Sequence, residues 1–225
     1  YEKCFQSLFK SSIIPHIVVI DNASTDGTVN YIRNHFPNIH LITSNENLGF
    51  AKANNIGIRY ALDHHADFFF LLNQDAWVEA TTIEQLITTF HENESVGIAA
   101  PMQLNGGYNN LDIRFNESLP RQLTSDLFLK KKKKYYDTDD VNAAAWMLSR
   151  NTIETIGGFD TFLFTHYGED NNYCQRVLYH KKRIVINTST TICHDRAHRD
   201  PDNDPNRKYW KKTIKNEEIA EQWSN

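Results

Sequence analysis

The first segment that could do chemistry reads Asp-Asn-Ala-Ser-Thr-Asp-Gly at residues 21–27, directly after the apolar run His-Ile-Val-Val-Ile. In an open parallel sheet, ligands bind beyond the carboxyl ends of the strands, so this acidic and turn-rich segment is well placed for binding. The carboxylate of Asp21 can accept hydrogen bonds from a base N–H or from a sugar hydroxyl. Asp26 is equally suited to begin the helix that follows.

The second segment, residues 45–57, reads Asn-Glu-Asn-Leu-Gly-Phe-Ala-Lys-Ala-Asn-Asn-Ile-Gly and holds two of the nine glycines. Gly49 would let the backbone pass close to a ligand, whereas Gly57 within a helix indicates close packing. The spacing matches neither a phosphate-binding P-loop nor a dinucleotide fingerprint. Lys52 stands in the first turn of the predicted helix, where a cation is unfavourable, so it either meets an anion or faces solvent.

The third segment, residues 71–78, places Asn73, Gln74 and Asp75 after a wholly apolar run. A carboxylate at the end of a buried strand is costly unless a cation meets it. A divalent metal that holds a diphosphate is one such partner, because Mg²⁺ and Mn²⁺ accept oxygen ligands from one or two carboxylates together with phosphates.

The fourth segment reads Gly-Gly-Phe-Asp-Thr-Phe-Leu-Phe at residues 157–164 and is followed by Glu169, Asp170 and Arg176. Two adjacent acids at the start of a helix interact favourably with its dipole. They equally supply a candidate general base. The residues alone leave both interpretations open.

Short apolar runs alternate with longer amphipathic ones around these segments. This alternation indicates βαβ units, and hence an α/β fold with a mainly parallel central sheet flanked by helices. An amphipathic helical pattern opens the chain. Strands are predicted at residues 17–20, 39–43, 68–72, 96–100, 141–148 and 183–187, and helices at residues 26–36, 50–64, 81–92, 151–156, 170–180 and 206–223.

Residues 102–140 break this rhythm, and we expect them to form an irregular excursion between two halves of one domain. They include a run of five lysines at residues 130–134. The run is either a solvated loop or hairpin end, or a surface that is attracted to an anionic membrane.

Length and composition exclude several classes of protein. The chain has 225 residues, a formal net charge of −4 and 12% aromatic residues, which is enough for a real core and too aromatic for a disordered chain. No apolar stretch approaches the roughly 18 residues of a membrane-spanning helix. The mildly acidic charge lacks the basic footprint of nucleic-acid binding. Three widely spaced cysteines favour a reducing compartment, so a cytoplasmic location is expected.

Taken together, the four segments resemble the family 2 inverting glycosyltransferases of GT-A fold, and most closely the rhamnosyltransferase-like branch. The resemblance covers about residues 2–195 and rests on DNASTDGT after a strand, NxGFAxAxNxG, a strand that ends in NQDA, and GGFDxxF followed by ED and R. Each motif is weak alone, but their order and spacing are those of the family. The resemblance implies one GT-A domain with a nucleotide-binding half (residues 1–100), an acceptor and catalytic half (101–195) and a helical tail (196–225).

The resemblance also implies roles for individual residues. Asp75 would bind Mg²⁺ or Mn²⁺, with Asn73 in place of the first acid of the family's DxD motif. His194 would complete the metal or diphosphate site, with His198 as a competing candidate. Asp170 would be the general base, beside Glu169. The residues expected on the nucleotide-sugar side of the cleft are Asp21, Asn22, Ser24, Asp26, Asn47, Gly49, Phe50, Lys52, Asn54, Asn73 and Gln74.

The activity implied by the resemblance is transfer of a sugar from a nucleoside-diphosphate sugar to an acceptor hydroxyl with inversion, in the synthesis of a cell-surface polysaccharide or glycan. A glycan or lipid-linked acceptor, contact with the inner face of the membrane and a homodimer are further expectations. Two alternatives stay open. A sugar-nucleotide nucleotidyltransferase normally needs a glycine-rich loop and a second metal carboxylate, and neither is visible. A degenerate GT-A domain with a binding or assembly role is favoured by Asn73.

The start of the chain departs from the family pattern. Family members carry a first strand before the helix that opens this sequence, and no such strand precedes it here. The strand at residues 17–20 is therefore expected to lack one sheet neighbour, and the nucleotide cleft to lack one wall. The expected consequences are weak donor binding and self-association through the open strand edge.

Overall fold

The computed structural model describes residues 1–164 and 168–196. Its contacts divide the chain into a unit from Tyr1 to His194 and a unit from Asp195 to Asn225. Only residues 195 and 196 of the second unit are described, so the predicted tail helix and His198 lie outside the described residues. Every helix and strand given below belongs to the first unit.

The first part of the chain alternates helices and strands as the sequence predicts, and the bounds of the predicted elements differ from the observed ones by two residues at most. Gly27, with a φ of +83°, makes the left-handed turn that leads from the first strand into the second helix. These elements are α1 (Glu2–Phe9), β1 (Val18–Asp21), α2 (Thr28–His35), β2 (His40–Thr43), α3 (Gly49–Asp63) and β3 (Phe68–Leu72).

The second part of the chain keeps the predicted elements but changes their lengths. Two strands are longer than predicted because their burial continues beyond the apolar run, and the strand predicted at residues 141–148 begins only at Ala145. Two short strands and two short helices were not predicted. The elements are β4 (Ala76–Val78, not predicted), α4 (Thr82–Glu92), β5 (Val96–Asn105, extended), α5 (Ile113–Glu117, not predicted), α6 (Arg121–Phe128, not predicted), β6 (Tyr135–Thr138, not predicted), β7 (Ala145–Ser149), α7 (Arg150–Ile156), α8 (Glu169–Tyr179) and β8 (Arg183–His194, extended).

Residues 102–140 contain helices and strands as well as loops, so the prediction of an irregular excursion is wrong in part. The segment contains the end of β5, both short helices α5 and α6, and β6. Asp112 begins α5 by accepting hydrogen bonds from the backbone N–H groups of Arg114 and Phe115. Phe115 and Leu123 are fully buried. Helices of one or two turns bury too few apolar side chains to produce a periodic pattern in the sequence.

The sheet arrangement differs from the predicted mainly parallel sheet. β1 and β2 form a parallel pair, and the six other strands form a sheet of order β3-β7-β5-β8-β4, with β6 also beside β8. Among the described strands only the β1–β2 and β5–β8 pairs are parallel, and the other four pairs are antiparallel. Alternation of strands and helices predicts direction only where each strand pairs with the next. Here β7 lies between β3 and β5 and is antiparallel to both.

Helices cover both faces of the six-stranded sheet. On one face, α3, α7 and α8 pack over a core that includes Trp146, Phe159 and Tyr173. On the other face, α1, α2 and α4 pack over a second core that includes Phe5 and Leu86. Consecutive residues of the central strands alternate between the two cores, as a doubly covered sheet requires. The predicted α/β class is confirmed.

The two sheets are connected through a helix in the described part of the chain. β1 is hydrogen-bonded to β2 and to no other described strand, and β3 ends the six-stranded sheet. Helix α3 packs against both β1 and β3. No helix among the described residues is long and apolar enough to cross a membrane.

Candidate active site

Asp75 and His194 meet at the ends of two strands. After β3 the chain turns at residues 73–75, and the N–H of Ala76 donates to the carbonyl of Asn73. Ala76 begins β4 and pairs with His194, the last residue of β8. This register places Nε2 of His194 3.2 Å from Oδ1 of Asp75. Two residues that are far apart in the sequence, and that were both predicted as metal ligands, are therefore adjacent.

A second carboxylate, Asp112, lies on the other side of the imidazole. Its Oδ2 is 3.6 Å from Nδ1 of His194, and both side chains are almost completely buried. The other oxygen of Asp112 caps α5. Sequence reasoning missed Asp112, although an aspartate directly before a short apolar pattern is a signal for a helix start. The His194 ring is thus held between two carboxylates.

Gln103 is a buried polar residue on the same face of the sheet. It pairs with Ile192 in the parallel β5–β8 ladder, so its side chain lies on the face that also carries His194, two residues further along β8. Gln103 is fully buried, and neither end of its amide has a hydrogen-bond partner among the described residues. An unpaired buried amide is costly, which is typical of a group reserved for a ligand.

Asn73 and Gln74 occupy the turn between β3 and β4. The N–H of Asn73 donates to the carbonyl of Ala144, and its own carbonyl receives the N–H of Ala76, so its backbone fixes the turn. The Asn73 side chain is half-buried and that of Gln74 is exposed. The predicted pair therefore lies beside Asp75, with Gln74 facing outward.

Glu169 and Asp170 begin α8, as predicted. Gly168, with a φ of +84°, leads into this helix. Asp140, which was not predicted, lies near Asp170. Burial raises the pKa of the Asp140 carboxyl above its usual value, and the negative charge of Asp170 raises it further. Burial raises the pKa of the Cys174 thiol, one turn along α8, to about 12, with smaller contributions from the same two carboxylates. The candidate base therefore lies in a group of acids.

Hydrogen bonds connect this group of acids to the end of β3. The Sγ of Cys174 lies 3.9 Å from the carbonyl of Val141, as a weak hydrogen bond. Three residues later, the carbonyl of Ala144 accepts the N–H of Asn73. The segment of residues 141–144 thus joins the start of α8 to the turn that carries Asp75.

The Gly-Gly-Phe-Asp turn is held by two helices. Asn55 of α3 donates to the carbonyl of Phe159 and accepts its N–H, at 2.9 and 2.8 Å. A Cβ on Gly158 would lie 2.4 Å from the Asn55 amide oxygen, so a larger residue there would displace the Asn55 side chain from these hydrogen bonds. Arg176 of α8 donates to the carbonyls of Gly158 and Ile156. Asn55 and Arg176 therefore have structural roles. The Arg176 guanidinium binds the carbonyl at the C-terminal end of α7 rather than facing a ligand.

Asp21 and Asn22 end β1 and hold the neighbouring loops. Asp21 is buried, and its Oδ2 accepts the N–H of Ser24 at 3.2 Å. The amide oxygen of Asn22 accepts the N–H of Leu48 at 2.7 Å, and its Nδ2 donates to the carbonyl of Gly49. Asn22 therefore fixes the start of α3 against the end of β1.

The other residues predicted to bind the nucleotide-sugar have different surroundings. Asp26 accepts both the N–H and the hydroxyl of Thr28, which lowers the pKa of its carboxyl, so Asp26 supports the start of α2. The Phe50 ring meets Phe159 edge-on at 5.6 Å. Asn54 donates to the carbonyl of Phe50 within α3. The exposed members of the predicted set are Ser24, Asp26, Asn47, Lys52 and Gln74.

Asp75 and His194 offer few ligand atoms for a metal ion. No group of three or more His, Cys, Asp and Glu side chains in residues 1–164 and 168–196 is arranged to hold a metal. Two donor atoms 3.2 Å apart can nevertheless contact one cation, since bonds from Mg²⁺ to its ligands are about 2.1 Å long. The remaining ligands would then come from a diphosphate and water.

A helix-covered sheet with an aspartate and a histidine at its strand ends places this chain among the GT-A glycosyltransferase folds. Similarity to solved structures supports this class. A crystal structure of GalNAc-T7 with UDP, GalNAc and Mn²⁺ superposes with a TM-score of 0.66 at 15% identity, covering 85% of this chain and 40% of that one. The mannosyltransferase PcManGT from Pyrobaculum calidifontis, in complex with GDP-Man and Mn²⁺, gives 0.61 at 20% identity, covering 85% and 52%.

The chain belongs to glycosyl transferase family 2, because residues 2–157 match the model of that family. The family that the motifs predicted is confirmed. The dTDP-rhamnosyl transferase RfbF of Shigella flexneri is 28% identical over 167 residues, which is 72% of this chain and 54% of RfbF. The low-salt glycan biosynthesis hexosyltransferase Agl10 of Haloferax volcanii is 28% identical over 198 residues, 84% of this chain and 60% of Agl10. The chain thus spans little more than half of these relatives.

Proposed function

We propose that this chain is the catalytic domain of a glycosyltransferase that moves a hexosyl or rhamnosyl group from a nucleoside-diphosphate sugar to an acceptor hydroxyl with inversion. The observation that carries the proposal is the contact between Asp75 and His194 at the strand ends of a family 2 domain. Both curated relatives named above transfer sugars, one in glycan biosynthesis. A role in making a cell-surface glycan on a glycan or lipid-linked acceptor belongs to the same proposal.

The donor would bind along the edge formed by the ends of β1, β3 and β8. Asp21 is a buried carboxylate at the first of these ends and suits a base N–H or a ribose hydroxyl. Asn22 holds Gly49, the first residue of α3, beside it, and Gly49 has a φ of +75°. The N-terminus of a helix favours an anion such as a diphosphate. The structural neighbours contain UDP and GDP-Man, which supports a nucleoside diphosphate as the ligand class.

A divalent cation would be held by Asp75 and His194. A set of one carboxylate and one imidazole suits Mn²⁺ somewhat better than Mg²⁺, which prefers oxygen alone. When bound, the cation would neutralise negative charge on the leaving diphosphate. Asp112 would keep the His194 ring oriented by accepting a hydrogen bond from Nδ1–H, which leaves Nε2 as the ligand atom.

Asp170 would take the proton of the acceptor hydroxyl. It stands in the first turn of α8, and residues 141–144 connect that turn to Asp75. A carboxylate that removes this proton as the hydroxyl attacks supports a single in-line displacement, which inverts the anomeric carbon. Glu169 is the adjacent alternative.

A degenerate domain is the competing function, because Asn73 replaces an acid. The contact of His194 with Asp75 speaks against it, since the histidine supplies a second ligand where Asn73 cannot. A nucleotidyltransferase is disfavoured by the family 2 match, since it would carry out a different reaction on the same class of ligand.

A donor panel tests the proposal. Thermal shift and titration calorimetry would measure binding of dTDP-, UDP- and GDP-sugars, with Mn²⁺ or with EDTA. We expect at least one nucleotide class to bind with Mn²⁺ and to lose most of its affinity in EDTA. The Asp63→Asn variant, which changes an exposed aspartate paired with Arg59, is the matched control and should bind like the wild type. Absence of metal-dependent binding to every member of the panel would contradict the proposal.

A further inference from the structure

The end of α6 presents an apolar pair directly before a cluster of cations. Phe128 is 87% exposed and Leu129 is 53% exposed. All five lysines that follow, Lys130 to Lys134, are exposed as well. We call residues 128–134 the α6 tip. Large apolar side chains are usually buried, so an exposed phenylalanine and leucine beside five lysines mark an interaction surface.

The fold holds the α6 tip in place. Asp126 is buried at the end of α6 and accepts the hydroxyl of Tyr136 at 2.8 Å. The N–H of Lys131 donates to the carbonyl of Asp126. At the other end of the tip, Thr188 of β8 donates its hydroxyl to the carbonyl of Lys133. Phe128 and Leu129 are therefore fixed in an outward position by buried contacts on both sides.

Three of the lysines keep their charge available. Lys134 forms an ion pair with Glu92 at 2.7 Å. The ammonium of Lys132 donates to the carbonyl of Thr188. Within the described parts of the chain, the side chains of the remaining three lysines form no ion pair. These three are Lys130, Lys131 and Lys133.

We propose that the α6 tip docks the protein on an anionic membrane surface, with Phe128 and Leu129 entering the lipid interface and the lysines facing the headgroups. A purely ionic partner, such as a nucleic acid or an acidic glycan, would need the lysines but not the two exposed apolar side chains. A bilayer uses both, since stable peripheral binding generally takes two signals. The docking does not depend on the proposed function, because it uses none of the residues placed in the active site.

Vesicle co-sedimentation of the full chain tests the proposal. The vesicles would be pure phosphatidylcholine, or phosphatidylcholine with 30% phosphatidylglycerol, at 0.1 M salt. We expect binding to the anionic vesicles only. The double variant Phe128→Ser, Leu129→Ser should weaken binding by about tenfold or more, because it removes the apolar side chains that enter the lipid interface. The triple variant Lys130→Gln, Lys131→Gln, Lys133→Gln should also weaken binding by about tenfold or more, because each basic residue near such a surface contributes roughly a factor of five.

A matched control is available at the end of α8. Tyr179 is 83% exposed and also precedes basic residues. Lys182 there is hydrogen-bonded to Asn151, and Arg183 is paired with Asp137. The double variant Tyr179→Ser, Lys181→Gln should therefore bind vesicles like the wild type. Unchanged melting temperatures would show that all variants are folded.

Two outcomes would overturn the proposal. One is equal binding of the Phe128→Ser, Leu129→Ser variant and the wild type, which would show that the attraction is purely ionic and that the apolar pair does not enter the lipid interface. The other is no preference for phosphatidylglycerol at all.

Discussion

Nε2 of His194 lies 3.2 Å from Oδ1 of Asp75, at the point where the end of β8 meets the turn after β3. The contact exists because Ala76 pairs with His194 in an antiparallel ladder of only three residue pairs. Their proximity is the structural basis of the metal and diphosphate site proposed for this chain.

Substitution of Asp75 should remove metal-dependent nucleotide binding. In Asp75→Asn, the Mn²⁺-dependent affinity for the best nucleoside diphosphate should fall at least about tenfold, or ~1.4 kcal/mol. His194→Ala should weaken the same binding less, because the carboxylate and the diphosphate still hold the cation. Calorimetry with and without Mn²⁺ measures both effects. A metal effect that survives Asp75→Asn would count against the site.

Asp112 should act on the metal site through His194, and two substitutions separate this action from its capping role. Asp112→Asn keeps an oxygen that can cap α5 but loses the negative charge facing Nδ1 of His194. It should retain the melting temperature and lower Mn²⁺ affinity by about tenfold, as measured by electron paramagnetic resonance. Asp112→Ala should show the same loss of affinity and cost roughly another 1 kcal/mol of stability. Wild-type Mn²⁺ affinity in Asp112→Asn would contradict this role.

Two neighbouring asparagines of α3 should behave differently. Asn55 makes two hydrogen bonds to the backbone of Phe159 in a different part of the chain, so Asn55→Ala should lower the free energy of unfolding by about 1–3 kcal/mol. Asn54 bonds only within its own helix, so Asn54→Ala should change stability little and instead reduce donor affinity. Urea denaturation and calorimetry distinguish the two. Equal losses of stability would argue against the bridging role of Asn55.

Asp140 should make the protein less stable as the pH rises. Burial and the charge of Asp170 raise the pKa of Asp140 in the folded state, so its ionisation disfavours folding. Below the ordinary pKa of aspartate, Asp140 is protonated in the folded and the unfolded protein and does not oppose folding. The free energy of unfolding decreases as the pH rises from that value through the raised pKa of Asp140 in the folded state. Asp140→Asn should therefore melt at a higher temperature than the wild type at pH 7, with a smaller difference at pH 4.5. A difference independent of pH would be inconsistent with this cause.

The sequence was sufficient for the first half of the fold because each element there is long enough to show its own periodicity. From β1 to β3, β1 ends at Asp21, β3 ends directly before Asn73, and helices begin near Gly27 and Gly49, as the turn residues indicate. Strand direction could not be predicted, because β7 and β5 have the same apolar pattern whichever way they run. The short β4 was missed for a similar reason. Three residues, Ala76 to Val78, cannot show alternation.

The site was only partly predictable. Motif order led to Asp75, His194 and Asp170, the residues proposed to carry the chemistry. Asp112 and Gln103 lie outside any motif. The β5–β8 register puts Gln103 on the same sheet face as His194, and the N–H of Asp112 donates to the carbonyl of Gln103, which brings Asp112 to the histidine. Arg176 belongs to a motif, yet it stabilises the Gly-Gly-Phe-Asp turn, because its guanidinium reaches the carbonyl groups at the end of α7. A motif locates a segment but does not say which way each side chain points.

The release of sugar from the best donor, followed by proton NMR, tests the central claim most directly. With Mn²⁺, and with water as the acceptor if no glycan acceptor is known, the wild type should first release the anomer opposite to that of the donor. Asp170→Asn should keep donor affinity within a few fold and lower the rate by about 10² or more, whereas Glu169→Gln should retain most of the activity. A first product with the anomeric configuration of the donor would contradict the account. So would an Asp170→Asn variant as fast as the wild type.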